Sequence, residues 1–316
     1  MEGDMRAVTI VDKQVQVGEV PDPICGSEEL LVEVRAAGLN AADVLQKNGL
    51  YPAPPGIPQH IPGLEIAGTV KEMGDQVSGF NIGDSVMGVV GGAAQAELCK
   101  IHFTNAIRVP KDMDLTSAGG FCETYFTAYD ALVRQAGLQW SEKLLINGAA
   151  GGVGLSAIAL GLAMNAQVIA SARHVEHHNI LRQLGAVPIL PSDSEHYGPY
   201  NVILELVGAL NMQGNLANLA MEGRISVIGI GSGAKSEIDL RILMAKRARI
   251  FGSTLRARST HAKATLVQEI TTHVMPLFGS GKLPVTIAAT YPIAEVHQAY
   301  EMFAKPGKMG KIILTF

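Results

Sequence analysis

Leu144-Leu145-Ile146-Asn147-Gly148-Ala149-Ala150-Gly151-Gly152-Val153-Gly154-Leu155 decides how this chain of 316 residues is read. The apolar start reads as a strand and the glycines as a tight turn, while Leu155, Ile158, Ala159 and Leu162 recur at the spacing of a helix face. Strand, glycine turn and helix in this order suit a pyrophosphate, because small residues let the backbone approach and free N–H groups at the helix start stabilise negative charge. Contacts to a dinucleotide are expected from Ala149, Ala150, Gly151, Gly152 and Val153. The fingerprint Gly-x-Gly-x-x-Gly is incomplete, with Ala149 at its first glycine and Gly151 and Gly154 at the others. Taken alone, the motif also fits an ordinary tight turn between strand and helix.

About twenty residues further on, the end of the second strand is where such a domain reads the adenosine ribose. Here it runs Ala170-Ser171-Ala172-Arg173-His174, without the acidic residue that would bond both ribose hydroxyls. Ser171, Arg173, His174 and His177 can instead bond or neutralise a 2′-phosphate, which favours NADPH. The alternative is that Arg173 and the histidines form a solvated helix start.

Outward from the turn, strands are expected at Lys143–Asn147, Gln167–Ser171, Pro188–Leu190, Asn201–Leu206, Arg224–Gly229 and Ile250–Leu255, with helices between most of them. That alternation is the sign of βαβ units and a doubly wound parallel sheet. Residues 1–122 show a different texture, short β-type runs such as Leu30-Leu31-Val32-Glu33-Val34 separated by Pro21-Asp22-Pro23, Gly74-Asp75 and Gly83-Asp84. A helix is expected near Thr260–Phe278, followed by β texture ending in Lys311-Ile312-Ile313-Leu314-Thr315-Phe316, whose strand should rejoin the first domain. The expected organisation is α/β, with a Rossmann domain at 123–259 and a β-rich domain built from 1–122 and 260–316.

Composition narrows the function classes. Hydrophobic residues make up 47% and charged residues 17%, enough to bury a large core, and the net charge of -4 offers no broad cationic surface for nucleic acid. Cys25, Cys99 and Cys122 lie far apart with no CxxC pair, so neither a disulfide framework nor a zinc ribbon is expected. A reducing cytoplasm fits, and the acidic start Met1-Glu2-Gly3-Asp4 lacks the apolar run of a secretory signal. Leu144 to Ala172 carries no charge and is long enough to span a bilayer, yet its glycines and asparagines make strand, turn, helix and strand the simpler parse.

Across almost its full length the chain resembles the zinc-free quinone oxidoreductases, similar to zeta-crystallin, of the medium-chain dehydrogenase/reductase superfamily. The resemblance is carried by Gly38-Leu39-Asn40-Ala41-Ala42-Asp43, Gly49-Leu50-Tyr51-Pro52, Pro62-Gly63-Leu64-Glu65-Ile66-Ala67-Gly68, Glu123-Thr124-Tyr125-Phe126-Thr127-Ala128, the glycine turn, Gly252-Ser253-Thr254-Leu255-Arg256 and Gly310-Lys311-Ile312. It implies a GroES-like catalytic domain from both chain ends, a central cofactor domain and a homodimer. It also implies that Thr127 and Leu255 lie near the nicotinamide, that Gly229 and Gly231 run along its ribose side, and that Asn40 and Tyr51 line the substrate pocket. Where zinc-dependent relatives carry a cysteine and a histidine, this sequence has Gly38-Leu39-Asn40 and Gly63-Leu64-Glu65, so catalytic zinc is not expected. Departures from the family fall at the cofactor end: His177 stands for a lysine that meets the 2′-phosphate, Ser192 for a tyrosine, and Lys308 for an asparagine in the cofactor set. The segment Pro191 to Tyr200 is short and is expected to lack the helix before the fourth strand.

The chemistry implied is hydride transfer to a quinone, for which Tyr51 serves as hydrogen-bond donor or pocket wall and Asn40 orients acceptor and nicotinamide. Asp43 reads as an early-helix carboxylate favoured by the helix dipole. Glu65 and Glu123 could form an acid/base pair, but structural hydrogen bonding is the expected role. His177 and His178 are adjacent on a helix and point apart, which disfavours a shared metal. Two rival readings are an NADPH-dependent reductase of α,β-unsaturated carbonyls or acyl thioesters, and a cofactor-binding protein without activity.

Overall fold

The chain opens with the antiparallel hairpin β1 (Asp4–Val11) and β2 (Gln14–Pro21), then enters β3 (Glu29–Gly38), helix α1 (Ala41–Lys47) and the strands β4 (Glu65–Met73), β5 (Ser85–Val89), β6 (Leu98–His102) and β7 (Ala106–Arg108). Two helices follow, α2 (Leu115–Ala118) and α3 (Cys122–Tyr129). The computed structural model describes residues 3–278 and 283–316.

Next comes the alternating stretch: β8 (Lys143–Asn147), α4 (Gly152–Ala163), β9 (Gln167–Ser171), α5 (His178–Gln183), β10 (Val187–Ile189), α6 (Ser194–Tyr197), β11 (Tyr200–Glu205), α7 (Met212–Ala217), β12 (Leu219–Val227), α8 (Leu240–Lys246) and β13 (Arg249–Gly252). These six strands form one parallel sheet in the order β10-β9-β8-β11-β12-β13, the doubly wound order of a Rossmann domain. Its interior strands are apolar because both faces are covered; Leu144, Leu145, Ile146, Val202, Ile203 and Leu204 are all buried. Helix α4 is apolar nearly all round for the same reason. The long uncharged segment is thus β8, turn, α4 and β9, and no described helix is long and apolar enough to cross a membrane.

After α9 (Thr260–His273) and α10 (Met275–Phe278), β14 (Ile287–Pro292), α11 (Val296–Ala304) and β15 (Lys311–Thr315) complete the chain. Strand β15 pairs antiparallel with β3 and parallel with β14, in a sheet ordered β14-β15-β3-β4-β5-β7 with β6 also on β3. The last strand therefore rejoins the first β-rich body, as its sequence position suggested.

Two compact units result, one from Met1–Thr124, Leu255–Gly279 and Val285–Phe316, the other from Tyr125–Thr254 with Ser280–Pro284. The division falls inside α3 and just before Leu255, whereas the change of texture suggested 122/123 and 259/260. Leu255 and Arg256 fall in the β-rich unit, where the Arg256 guanidinium donates to the carbonyls of Gly91 and Tyr51. The segment before β11 also differs from expectation: Pro191–Asp193 forms a 3-10 turn and Ser194–Tyr197 a single helical turn, so a short helix does precede the fourth strand.

Candidate active site

Within the parallel sheet, β8 and β11 are the adjacent strands at which the winding reverses, and ligands bind beyond the carboxyl ends of strands at such a point. The glycine turn lies there. Gly148 has φ +85°, a conformation open to glycine, and the N–H groups of Gly148 and Ala149 donate to the Ser171 carbonyl at 3.2 and 3.1 Å, tying the turn to the end of β9. A Cβ on Gly154 would lie 2.6 Å from the carbonyl oxygens of both Gly148 and Ala149, so the first turn of α4 can approach only with glycine there. Gly151 differs. Its backbone (φ −77°, ψ 166°) suits any residue, and an added Cβ would meet only the Gly148 oxygen, at 3.6 Å. The fold leaves open space above Gly151 at the helix start, which is where a phosphate would lie.

Beneath the turn is a group that the sequence reading missed. Glu205, fully buried at the end of β11, accepts from the backbone N–H groups of Val207 and Gly208 at 2.6 and 2.7 Å, and from the Nδ2 groups of Asn147 and Asn215 at 2.8 and 2.7 Å. Asn211 adds longer contacts. These donors compensate the buried charge and fix the 206–208 loop, against which Gly229 packs: a Cβ there would strike the Leu206 oxygen at 2.1 Å. Gly231 is exposed in the same loop pair, where Ser232 N–H donates to the Val207 carbonyl at 2.8 Å.

The ribose-reading end of β9 holds Ser171 buried and Arg173 exposed. His177 is buried, its ring 5.6 Å from that of His174, while His178 Nε2 lies 3.0 Å from the Ala172 carbonyl oxygen. The two adjacent histidines therefore have different neighbours. Thr127 is buried in α3, in the same unit. Leu255 and Lys308 belong to the β-rich unit, where Leu255 is buried and the Lys308 ammonium sits 4.2 Å from the centre of the Phe303 ring.

In the β-rich unit, three acids and three cations form one group, with Asp43, Glu65, Arg256 and Lys311 buried and Glu123 and Lys263 partly so. Glu65 Oε1 accepts from Lys311 Nζ at 2.6 Å and from Asn40 Nδ2 at 3.0 Å, and its Oε2 accepts the Glu123 backbone N–H at 2.9 Å. Lys311 also donates to Asn40 Oδ1 at 2.8 Å, which fixes the orientation of that amide. Since Asn40 Nδ2 donates to Gly38 O as well, no N–H of its side chain is left for an acceptor; one oxygen lone pair is. Asp43 accepts from Asn40 N–H at 2.8 Å, Gly63 N–H at 3.0 Å and Gln95 Nε2 at 3.2 Å, so it joins three chain segments besides starting α1. Burial pushes its carboxyl up to about 6, against the hydrogen bonds from Asn40 and Gly63 and the charge of Lys311. Burial together with the Glu65 charge pushes Glu123 up to about 8.

Tyr51 stands in a loop held from below by Arg256. The guanidinium donates to the carbonyls of Tyr51 at 2.9 Å and Gly91 at 2.8 Å and to Gln46 Oε1 at 2.5 Å, and Lys263 Nζ donates to the Arg256 carbonyl at 3.0 Å. Among the described residues the Tyr51 hydroxyl has no partner, and partial burial raises its pKa. Arg256, Lys263 and Lys311 escaped the sequence reading as site residues. The available signal was a lone cation in an apolar strand, Lys311 before Ile312-Ile313-Leu314. Glu65 fulfils the structural role expected of it. Leu64, at the position of the zinc relatives' histidine, is buried, and among the described residues no cluster of three His, Cys, Asp or Glu could hold a metal.

The family described as "Alcohol dehydrogenase GroES-like domain" matches residues 26–136, and that described as "Zinc-binding dehydrogenase" matches residues 152–272. A curated quinone oxidoreductase from Lama guanicoe is 30% identical, covering 94% of this chain and 91% of that protein. The chain belongs to the quinone oxidoreductase family of the medium-chain dehydrogenase/reductases. Within this superfamily, an acryloyl-coenzyme A reductase from Sulfurisphaera tokodaii is 28% identical over 98% of this chain and 99% of that protein. A mycobacterial structure solved with NADPH superposes with a TM-score of 0.87 at 22% identity, covering 99% of this chain and all of that one. The quinone oxidoreductase relationship makes this chain an oxidoreductase with a small-molecule substrate.

Proposed function

We propose that this protein is an NADPH-dependent reductase that passes hydride to a quinone or similar conjugated carbonyl without a metal. The observation that carries the reading is the open position above Gly151, at the helix start beside the sheet's reversal point. An added Cβ there would meet only the Gly148 oxygen, at 3.6 Å, and free N–H groups at a helix start suit the charge of a pyrophosphate. A bound reduced nicotinamide would supply the hydride. Gly148 and Gly154 shape the turn, Glu205 fixes the loop that carries Val207 and Gly208, and Thr127, Gly229 and Gly231 line the nicotinamide side. Arg173 is an exposed cation where NAD enzymes carry an acid, which supports NADPH. On the acceptor side, Tyr51 offers an uncommitted hydroxyl, and Asn40 offers only its remaining lone pair.

The absence of metal from this reading follows from donor chemistry: an amide engaged by Lys311 and a buried leucine occupy the places of soft ligands. A homodimer and a cytoplasmic location complete the proposal. In support of the dimer, among the described residues β13 has a partner strand on one side only, and Leu240 and Met244 of the preceding α8 are exposed. A second reading, reduction of an activated alkene such as an enone or acyl thioester, is favoured by the acryloyl-coenzyme A reductase relative. Steady-state NADPH oxidation with a quinone panel and an enone panel, before and after exhaustive chelation, tests both. Turnover should survive chelation, and activity restored only by added zinc would overturn the metal-free mechanism.

A further inference from the structure

Three acids share this group of the β-rich unit, Asp43 and Glu65 buried and Glu123 partly so, and their oxygens differ in one respect. Both oxygens of Asp43 accept hydrogen bonds, Oδ1 from Gly63 N–H and Oδ2 from Asn40 N–H and Gln95 Nε2. Both oxygens of Glu65 are engaged too, by Lys311, Asn40 and the Glu123 backbone. Glu123 contributes that N–H, yet its own carboxyl makes no hydrogen bond among the described residues. It is the uncommitted acid of the group.

The surroundings of Glu123 are defined from several elements. Glu65 on β4 and Asp43 on α1 are like charges, and Lys311 on β15 and Lys263 on α9 are opposite ones. Its charge also acts on Arg256 and, more weakly than burial does, on the hydroxyl of Tyr51, whose ring lies against Arg256. With all six charged groups ionised the set would be neutral; with a proton on Glu123 it carries a net positive charge. A carboxyl in such a setting can lose its proton without leaving an uncompensated anion, since three cations already face it.

We propose that Glu123 is the general acid of the reduction, giving its proton to the oxygen anion formed when hydride reaches an acceptor held beside Tyr51. This rests on the reductase reading above. Hydride from the reduced nicotinamide brings two electrons to the acceptor, and the carbonyl π pair becomes an oxygen lone pair of a quinol anion or enolate. The Glu123 O–H bond then breaks as the new O–H bond forms, and the carboxylate recovers its proton from water. Burial and the Glu65 charge raise the Glu123 pKa to about 8, so the carboxyl is protonated and neutral at pH 7, which is what a donor needs. Tyr51 hydrogen-bonds the same oxygen but retains its own proton.

Glu123→Gln is the direct test, because the amide copies the size of the protonated acid and the fold should survive. The first readout is independent of turnover: an infrared difference between wild type and Glu123→Gln should show a protonated carboxyl band at pH 7 that titrates away near pH 8. In the second, kcat with 3-nonen-2-one should fall at least tenfold and with 1,4-naphthoquinone by less, since a quinol anion is the stabler product. The fall in wild-type kcat above pH 8 should vanish in the variant, and Glu123→Asp should recover part of the rate. NADPH affinity should be unchanged. An absent carboxyl band, or an active wild type whose kcat and alkaline limb are unaltered in Glu123→Gln, overturns the proposal alone. A wild type that binds NADPH but reduces neither probe overturns it together with the reductase reading.

Discussion

Arg256 holds its guanidinium 5.2 Å from the centre of the Tyr51 ring while donating to the Tyr51 carbonyl at 2.9 Å. One side chain thus fixes both the backbone and the ring of the residue proposed to meet the acceptor. Lysine has neither the fork nor the plane to do this, so Arg256→Lys should lose most of the bonds to Gly91, Tyr51 and Gln46. Charge-assisted bonds of this kind contribute about 1.5–3 kcal/mol each. The variant should be destabilised by roughly 3 kcal/mol in urea unfolding and should raise the acceptor KM about tenfold, with NADPH affinity intact. An unchanged acceptor KM would dissociate the Tyr51 loop from substrate binding.

Tyr51→Phe removes only the hydroxyl, which has no partner among the described residues, so stability should hardly move. A hydrogen bond to the developing oxyanion would instead appear in kcat/KM for a quinone, falling about tenfold or more. If Tyr51→Ala also left the acceptor KM untouched, the pocket would lie elsewhere.

The two glycines of the turn should separate ligand binding from folding. Gly154→Ala places a methyl group 2.6 Å from two carbonyl oxygens and should lower Tm. Gly151→Val meets little of the protein and should fold normally, while its side chain fills the phosphate space and weakens NADPH binding by roughly a hundredfold, about 2.7 kcal/mol. Calorimetry for the first and fluorescence titration for the second read the two effects apart.

Arg173 is exposed, so its removal should leave stability unchanged. Arg173→Ala should reduce the preference for NADPH over NADH by roughly ten- to a hundredfold, the value of one charge-assisted phosphate contact. Wild-type preference for NADH would refute the phosphate site.

Glu123 and Asp43 both have pKa values raised by burial, to about 8 and about 6. Between their ordinary values and these, the folded protein binds more protons than the unfolded chain, so stability is highest at the acid end of the window and declines as pH rises through it. Tm should therefore fall from about pH 5 to pH 8, and Glu123→Gln should flatten that slope. A slope identical in the variant would show that Glu123 is solvated.

How far the sequence could be read depended on how local each interaction is. Strands β8 and β9 coincide with their expected bounds, because runs buried on both faces and stopped by turn residues announce themselves. Strand β12 begins at Leu219 rather than the expected Arg224, because Leu219 pairs with Tyr200 ahead of a register shift, with Glu222 at φ +58°, before the Val202–Arg224 pairing. Arg224 itself is buried only because Glu142 and the carbonyls of Ala136 and Gly137, distant in sequence, satisfy its guanidinium. The same distance hid the acceptor side: Lys311 meets Glu65 across 246 positions and Arg256 meets Gln46 across 210, pairings that no periodicity encodes.

The pairing of β15 with β3 also bears on how the protein is made. A nascent chain that has emerged through β13 holds every strand of the parallel sheet, so that unit can form during synthesis. The other sheet stays incomplete, with β3 lacking β15 and the Glu65 carboxylate lacking Lys311 until the ribosome has delivered β15. A chaperone that shields β3 during that interval would raise the yield of active protein without binding the finished fold.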